Sequence, residues 1–335
     1  MLDFNFKPMK VSIMEQLVSS ELKSILHSKR ANLYYLEYCR VLVNNGTVEY
    51  LTEEENKSLY WNIPIANTTC VILGNGTSVT QAAMREFSKA GVLVGFCGGG
   101  GTPLYTGLEK EIDIAWFSPQ SEYRPTEYVQ NWIKIWLNDE LRIQAAKEFQ
   151  ILRTKFLSEQ WKIRASQSEQ KFNIHFEQFD NQIKNHFIQI LNSQSSNDLL
   201  LVEANLTKFL YSCASQATKY GEFTREKNGS GTDQANKFLD QGNYLAYGLG
   251  ATACWVLGIP HSFSILHGKT RRGGLVFDVA DLIKDGLILP QAFISGKNGE
   301  DSQEFRAQCI KHFLKTSSLD FMIDCIKETI EKFNK

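Results

Sequence analysis

Cysteine is present but never paired: seven residues (39, 70, 97, 213, 254, 309 and 325) are scattered singly through 335, with no CxxC among them. An odd number of isolated thiols excludes a disulfide scaffold and a zinc ribbon, and fits the reducing conditions of the cytoplasm. Long apolar runs are missing as well. None approaches the ~18 residues that a membrane-spanning helix needs, so no membrane association is expected. The opening MLDFNFKPMKVSIMEQLVSS has no apolar core followed by a small-residue cleavage site, so export is not expected either. Neither sign of charge is in excess, with 36 basic and 37 acidic residues and a net charge of −1. Any nucleic-acid surface must therefore be a local basic cluster. No internal repeat of useful period is visible.

Complete phosphate loops are also lacking. LGNGTSVTQAAM follows a strand-like run and opens a helix, but Val79 stands where a dinucleotide fingerprint has its third glycine. The next strand, GVLVGF, ends at Cys97 and not at an acid able to hold a ribose, which argues against an oxidoreductase. Gly98 to Gly101 precede Pro103, not a helix N-terminus, and suit a sharp reversal of the chain. HGKT ends like a nucleotide-binding loop, yet Phe263 occupies the required upstream glycine position.

What is present is an ordinary globular composition, 43% hydrophobic and 22% charged, that changes character near residue 118. From about Ala31 to Trp116, short β-like segments alternate with turn signals: NLYYLEY, RVLV, TVEYL, SLYWNIPI, TTCVIL and GVLVGF. Asn44-Asn45-Gly46 predicts a hairpin, and one helix is expected from about Val79 to Lys89, capped by Ser78 and stopped at Gly91. After Ser118-Pro119, apolar residues recur every three or four positions. The helical run with Trp132, Trp136, Arg142, Arg153 and Trp161 invites a base-stacking reading, but at that spacing its aromatics suit the core. The expected fold is α+β, a small β-rich domain over residues 1–118 followed by a larger all-helical domain over 119–335. Segment 221–233, polar and rich in glycine, is expected to be a mobile loop.

One stretch carries chemistry. ILHGKTRRGGLVFDVADLIKD sets His267, Lys269, Arg271 and Arg272 ahead of Asp278 and Asp281, which stand among apolar residues. Carboxylates in such sequence must be paired, protonated or bound to a cation if they are buried. At i and i+3 the two share one helix face. Glu203 follows four apolar residues in LLLVEANLTKFL. Glutamate, histidine and aspartate together form a mixed O/N donor set suited to Mg²⁺ or Mn²⁺ with waters retained. A cationic clamp beside such an ion suits phosphodiester chemistry. Structural alternatives stand beside this. Asp278 and Asp281 could be the N-cap and N3 acids of a helix, Asp285 could continue a wet face, and Glu203 could pair with Lys208.

Three long stretches resemble a known family: SELKSILHSKRANLYYLEYCRVLVNNG, then SLYWNIPIANTTCVILGNGTSVTQAAMREFSKAGVLVGFCGGGGTPLY, then DQANKFLDQGNYLAYGLGATACWVLGIPHSFSILHGKTRRGGLVFDVADLIKDGLILPQAF. They are similar to the CRISPR-associated adaptation integrases (Cas-one), and within these to the type I-F, or Ypest, subtype. The resemblance implies a β-rich N-terminal domain and a helical domain with one divalent-metal site, Mg²⁺ or Mn²⁺. The ligands would be the Glu of LLVEAN, the His of ILHGKT and the last Asp of FDVAD, that is Glu203, His267 and Asp281, with Asp278 in a supporting role. Ala204 departs from the glycine that many relatives carry, and a methyl there suits a helix. The implied activity is strand transfer in spacer acquisition, with endonuclease action on double-stranded or branched DNA. The implied partners are a second copy of the chain and a Cas-two dimer, fused in type I-F to Cas-three. DNA would be faced by Lys269, Arg271, Arg272, Lys219, Arg225 and Lys227, with Glu53, Glu54, Glu55, Glu109 and Glu111 turned away. The rival expectation is a non-catalytic DNA-architecture subunit whose acids merely cap helices.

Overall fold

The structure is a computed structural model. It describes residues 30, 32–54, 57–97, 114–119, 125–167, 172–226, 233–268 and 273–334. The N-terminal half contains β1 (Asn32–Leu36), β2 (Arg40–Asn44), β3 (Thr47–Glu54), β4 (Lys57–Asn62), β5 (Thr68–Leu73), β6 (Ser78–Val79), α1 (Gln81–Lys89), β7 (Leu93–Phe96) and β8 (Ala115–Phe117). The predicted hairpin joins β2 to β3. Asn45 and Gly46 both take positive φ, 47° and 81°, as a two-residue turn matched to strand twist requires. One sheet has the order β4-β3-β2-β6, the other β1-β5-β7-β8, with β1, β5 and β7 parallel.

The expected helix begins later than its sequence signals suggest. Ser78 and Val79 pair with β2 as β6, and Thr80 is the cap, its hydroxyl accepting the Ala83 N–H. Backbone bonds from Ser78 N to Cys39 O and from Thr80 N to Val41 O hold the two residues extended, which overrides the capping tendency of Ser78.

All of β5 is buried, and its side chains alternate between two cores. Val71 and Leu73 join Val41, Val48, Ile63 and Phe87 between the sheets and α1. Cys70 and Ile72 join the helical half on the opposite face. The break near residue 118 is thus a change of secondary structure, while the apolar core runs across it.

The helical half comprises α2 (Glu127–Leu137), α3 (Asp139–Gln167), α4 (Phe176–Asn192), α5 (Ser196–Thr218), α6 (Gln234–Val256), α7 (Gly274–Ile283), α8 (Leu289–Asn298), α9 (Ser302–Lys315) and α10 (Ser318–Phe333). Helix α6 is apolar nearly all round and buried, the pattern of a central helix. It lies against β5, and Gly248 permits the approach: a Cβ there would stand 2.8 Å from Cys70 Sγ. Trp132 and Trp161 are wholly buried, so these rings are core. A π-helical turn at Lys284–Ile288 joins α7 to α8. Such turns add a residue to the helical register and often mark functional sites.

Candidate metal centre

Asp278 organises the centre. It lies in α7 with 5% exposure, and its carboxylate accepts from Ser264 Oγ at 2.8 Å and from the backbone N–H groups of Ile265 (2.7 Å), Leu266 (3.3 Å) and His267 (3.2 Å). The irregular stretch before α7 has no ladder of its own, so its amides are satisfied by one side chain. The same carboxylate accepts from His267 Nδ1 at 2.7 Å, which holds a ring proton on Nδ1 and turns Nε2 towards Asp281, where it could coordinate a cation once deprotonated. Nε2 stands 3.7 Å from Asp281 Oδ2. Burial pulls the imidazole pKa down, but the Asp278 hydrogen bond and the charges of Asp278, Asp281 and Glu203 outweigh it and raise it to about 9.

One turn further along α7, Asp281 is buried and bonded to Lys284. Burial favours its neutral form, yet Lys284, His267 and Arg153 together hold its pKa below the usual carboxylate range. Lys284 also stands 5.0 Å from the centre of the Tyr247 ring. Glu203 arrives from α5. Arg153 NH1 reaches its Oε1 at 3.0 Å and Gln150 Nε2 its Oε2 at 2.9 Å. The other edge of the Arg153 guanidinium binds Asp285, whose backbone carbonyl accepts from Trp161 Nε1 at 2.7 Å. Burial alone would lower the Arg153 pKa, but Asp285, Glu203 and Asp281 raise it.

Glu203, His267 and Asp281 each offer a ligand atom, and these atoms lie within 4.8 Å of one another. Two carboxylate oxygens and one imidazole nitrogen, fixed by second-layer hydrogen bonds, form a donor set that fits Mg²⁺ or Mn²⁺. The cluster borders a cavity of about 920 Å³ whose walls include Tyr211, Arg225, Asp240 and Tyr247.

The structural alternatives for the acids fail. Gly273 is the N-cap of α7, so neither Asp278 nor Asp281 caps it. Asp285 is 7% exposed and ion-paired with Arg153, so it continues the stripe of Asp278 and Asp281 as a buried face and not as a wet one. Glu203 pairs with Arg153 and not with Lys208.

Of the expected DNA contacts, Lys219 is exposed at the left-handed C-cap of α5. Arg225 lines the cavity, tied to Asp240 and, at 2.8 Å, to Asn236 Oδ1. Lys227, Lys269, Arg271 and Arg272 lie outside the described residues, as do Glu55, Glu109, Glu111 and the side chain of Glu54. Glu53 is exposed. Residues 221–226 of the expected mobile loop are stitched to α6. Asn236 donates to Thr224 O at 2.9 Å and accepts from Glu226 N at 3.0 Å.

Arg153, Gln150 and Lys284 are site residues that the sequence pattern alone did not single out. A signal for Arg153 existed: it sits four residues after Phe149 and four before Leu157, in the register of Trp161, so a cation falls in an apolar stripe. Lys284, three residues after Asp281, was also within reach of helical spacing.

An acid–histidine–acid cluster that could hold a divalent cation thus borders an open cavity, held in a helical half behind a β-rich one. The model of the family described as CRISPR associated protein Cas1 matches residues 37–289, and the chain belongs to that family. It is 56% identical over 316 residues to a CRISPR-associated endonuclease Cas1 of Pectobacterium atrosepticum, covering 94% of this chain and 97% of the relative. A second CRISPR-associated endonuclease Cas1, from Pseudomonas aeruginosa, is 55% identical over 319 residues, covering 95% and 98%. These relatives bear out the resemblance to the I-F group. Among solved structures, a casposase bound to integration product shares the fold, with a TM-score of 0.67 at 15% identity over 90% of this chain and 92% of that one.

Proposed function

We propose that the chain is a divalent-metal-dependent DNA endonuclease and integrase that joins the 3′-hydroxyl ends of a prespacer to the CRISPR repeat array. The observation that carries this is the convergence of Glu203, His267 and Asp281 at the wall of a cavity that also holds Arg153, Lys284 and Arg225. A bound Mg²⁺ or Mn²⁺ would supply charge stabilisation at the phosphoryl oxygens and acidify a hydroxyl. Glu203, His267 and Asp281 would hold it. Asp278 keeps the His267 proton on Nδ1, Arg153 and Gln150 fix Glu203, and Lys284 sets the Asp281 carboxylate. In strand transfer one P–O bond forms as another breaks, so phosphodiesters are conserved and no water or nucleotide triphosphate is consumed.

The phosphate backbone would be gripped by Lys269, Arg271, Arg272, Lys219 and Lys227, with Arg225 at the cavity wall. The endonuclease names of the relatives, and a solved Cas1–DNA complex that shares the fold, support a DNA substrate. Residues 1–118 would serve as the dimerisation domain and 119–335 as the catalytic, DNA-binding domain. A cytoplasmic homodimer would work with a Cas-two dimer, fused to Cas-three.

The test is integration of a labelled prespacer into a supercoiled repeat plasmid, with and without Mn²⁺ and the fused partner. His267→Ala and Asp281→Ala should each abolish strand transfer while DNA binding and dimerisation persist. Retained transfer in both variants would leave a non-catalytic architectural subunit.

A further inference from the structure

A second large cavity, about 850 Å³, lies between α3, α8, α9 and α10. It shares no wall residue with the cavity of the metal centre. It runs beside α3 from Leu152 to Gln167, about 22 Å at 1.5 Å per residue. That length suits an extended or helical peptide segment better than a compact ligand. Its floor is apolar and includes Phe156 and Phe321, stacked at 4.5 Å.

One end of this groove is cationic and poorly compensated. Arg164 donates from NH1 to Gln291 Oε1 at 2.7 Å, and no carboxylate pairs with it among the described residues. Four of its five N–H donors thus have no protein partner in the described structure. Burial lowers its pKa to about 10, opposed by the Cys309 thiol and by no carboxylate. His312 Nε2 donates to the same Gln291 oxygen at 3.2 Å. Burial, together with Arg164, Lys315 and Lys311, holds this imidazole neutral, its pKa lowered to about 4. Lys315 stands exposed at the rim, bonded among the described residues only to Gln167, at 3.1 Å. The acids of the groove do not neutralise Arg164. Glu300 accepts from Ser295 and Asn298, and Glu159, exposed at the wall, makes no ion pair with Arg164 among the described residues.

We propose that this groove docks a segment of a partner protein that presents one carboxylate beside apolar side chains, the carboxylate entering at Arg164 and Lys315 and the apolar side chains covering Phe156 and Phe321. Charge complementarity selects the anion, and the guanidinium fork matches a carboxylate bidentately. The apolar floor and the two acids disfavour a nucleic-acid backbone, which needs a continuous basic track. Docking here would leave the metal centre open to DNA.

The probe is a set of fluorescein-labelled synthetic decapeptides of matched apolar content that carry, at one position, an acidic, an amide or a basic residue. Binding to the full chain is read by fluorescence polarisation. Acidic members should bind at least tenfold tighter than amide members, and basic members weakest. Arg164→Gln should remove that preference, Arg164→Lys should restore part of it, and Lys315→Glu, on the exposed rim, should weaken acidic members without touching the fold. Equal binding of acidic and amide peptides would overturn the proposal. So would no binding by any set at millimolar peptide, an unaltered preference in both Arg164→Gln and Lys315→Glu, or displacement of bound peptide by a short DNA duplex. Strand-transfer activity of Lys315→Glu should equal that of the parent, which separates this surface from the catalytic reading.

Discussion

His267 Nδ1 lies 2.7 Å from Asp278 Oδ1, and that one carboxylate also accepts the backbone N–H groups of Ile265, Leu266 and His267. Ring orientation and loop conformation therefore depend on the same side chain. An amide cannot replace it, because its NH₂ would face donors. Asp278→Asn should weaken Mn²⁺ binding by roughly 10- to 100-fold, the usual cost of losing a partner behind a metal-bound histidine. Titration calorimetry with Mn²⁺ measures this. Unchanged affinity would mean that Asp278 serves only the loop.

Arg153 bridges Glu203 and Asp285 in the core. Arg153→Met leaves two carboxylates without their cation and should cost about 3–5 kcal/mol in urea unfolding. Adding Asp285→Leu should recover part of that loss, since an apolar pair can replace a buried ion pair. A double variant no more stable than the single would place the main charge conflict at Glu203.

His186 is 2% exposed, and neither ring nitrogen has a hydrogen-bond partner among the described residues. Burial, then the Arg153 charge, lowers its pKa from 6.5 to about 4. Above pH 6.5 both folded and unfolded chains keep this ring neutral. Between 6.5 and 4 only the unfolded chain takes up the proton, so stability should fall by about 1.4 kcal/mol per pH unit for this group. Comparing denaturation midpoints of the parent and His186→Leu at pH 7, 6 and 5 isolates it. The leucine variant should show the shallower slope.

Arg271→Ala with Arg272→Ala should lower duplex affinity and flatten its salt dependence by about 0.9 in log–log slope for each phosphate no longer neutralised. Binding isotherms across a salt series decide it. An unchanged affinity and slope would remove these arginines from the DNA surface.

Much of this was legible in the chain itself. The Asn45-Gly46 hairpin, the strand run TTCVIL and the three- to four-residue periods after residue 118 are local patterns, and local patterns survive folding. Glu203, His267 and Asp281 were visible because acids and a histidine in apolar sequence raise a question that hydrophobicity cannot answer. Ser78 misled because strand pairing with β2 outweighed its capping tendency, a pairing between residues nearly forty positions apart. Asp285 misled because helical spacing puts it on the stripe of Asp278 and Asp281 but cannot tell whether that stripe is wet or buried against a distant Arg153.

Residue order alone thus determined the division into β-rich and helical halves and the types of atom available to bind a cation, since both follow from periodicity and side-chain chemistry. Only the tertiary structure decided that Arg153, more than one hundred positions from Asp285, would neutralise the acids, and that Asp278 would steer a histidine instead of capping a helix. The reason is electrostatic: a buried charge is tolerated only where its opposite is brought within a few ångströms, and no local pattern records which distant segment supplies it.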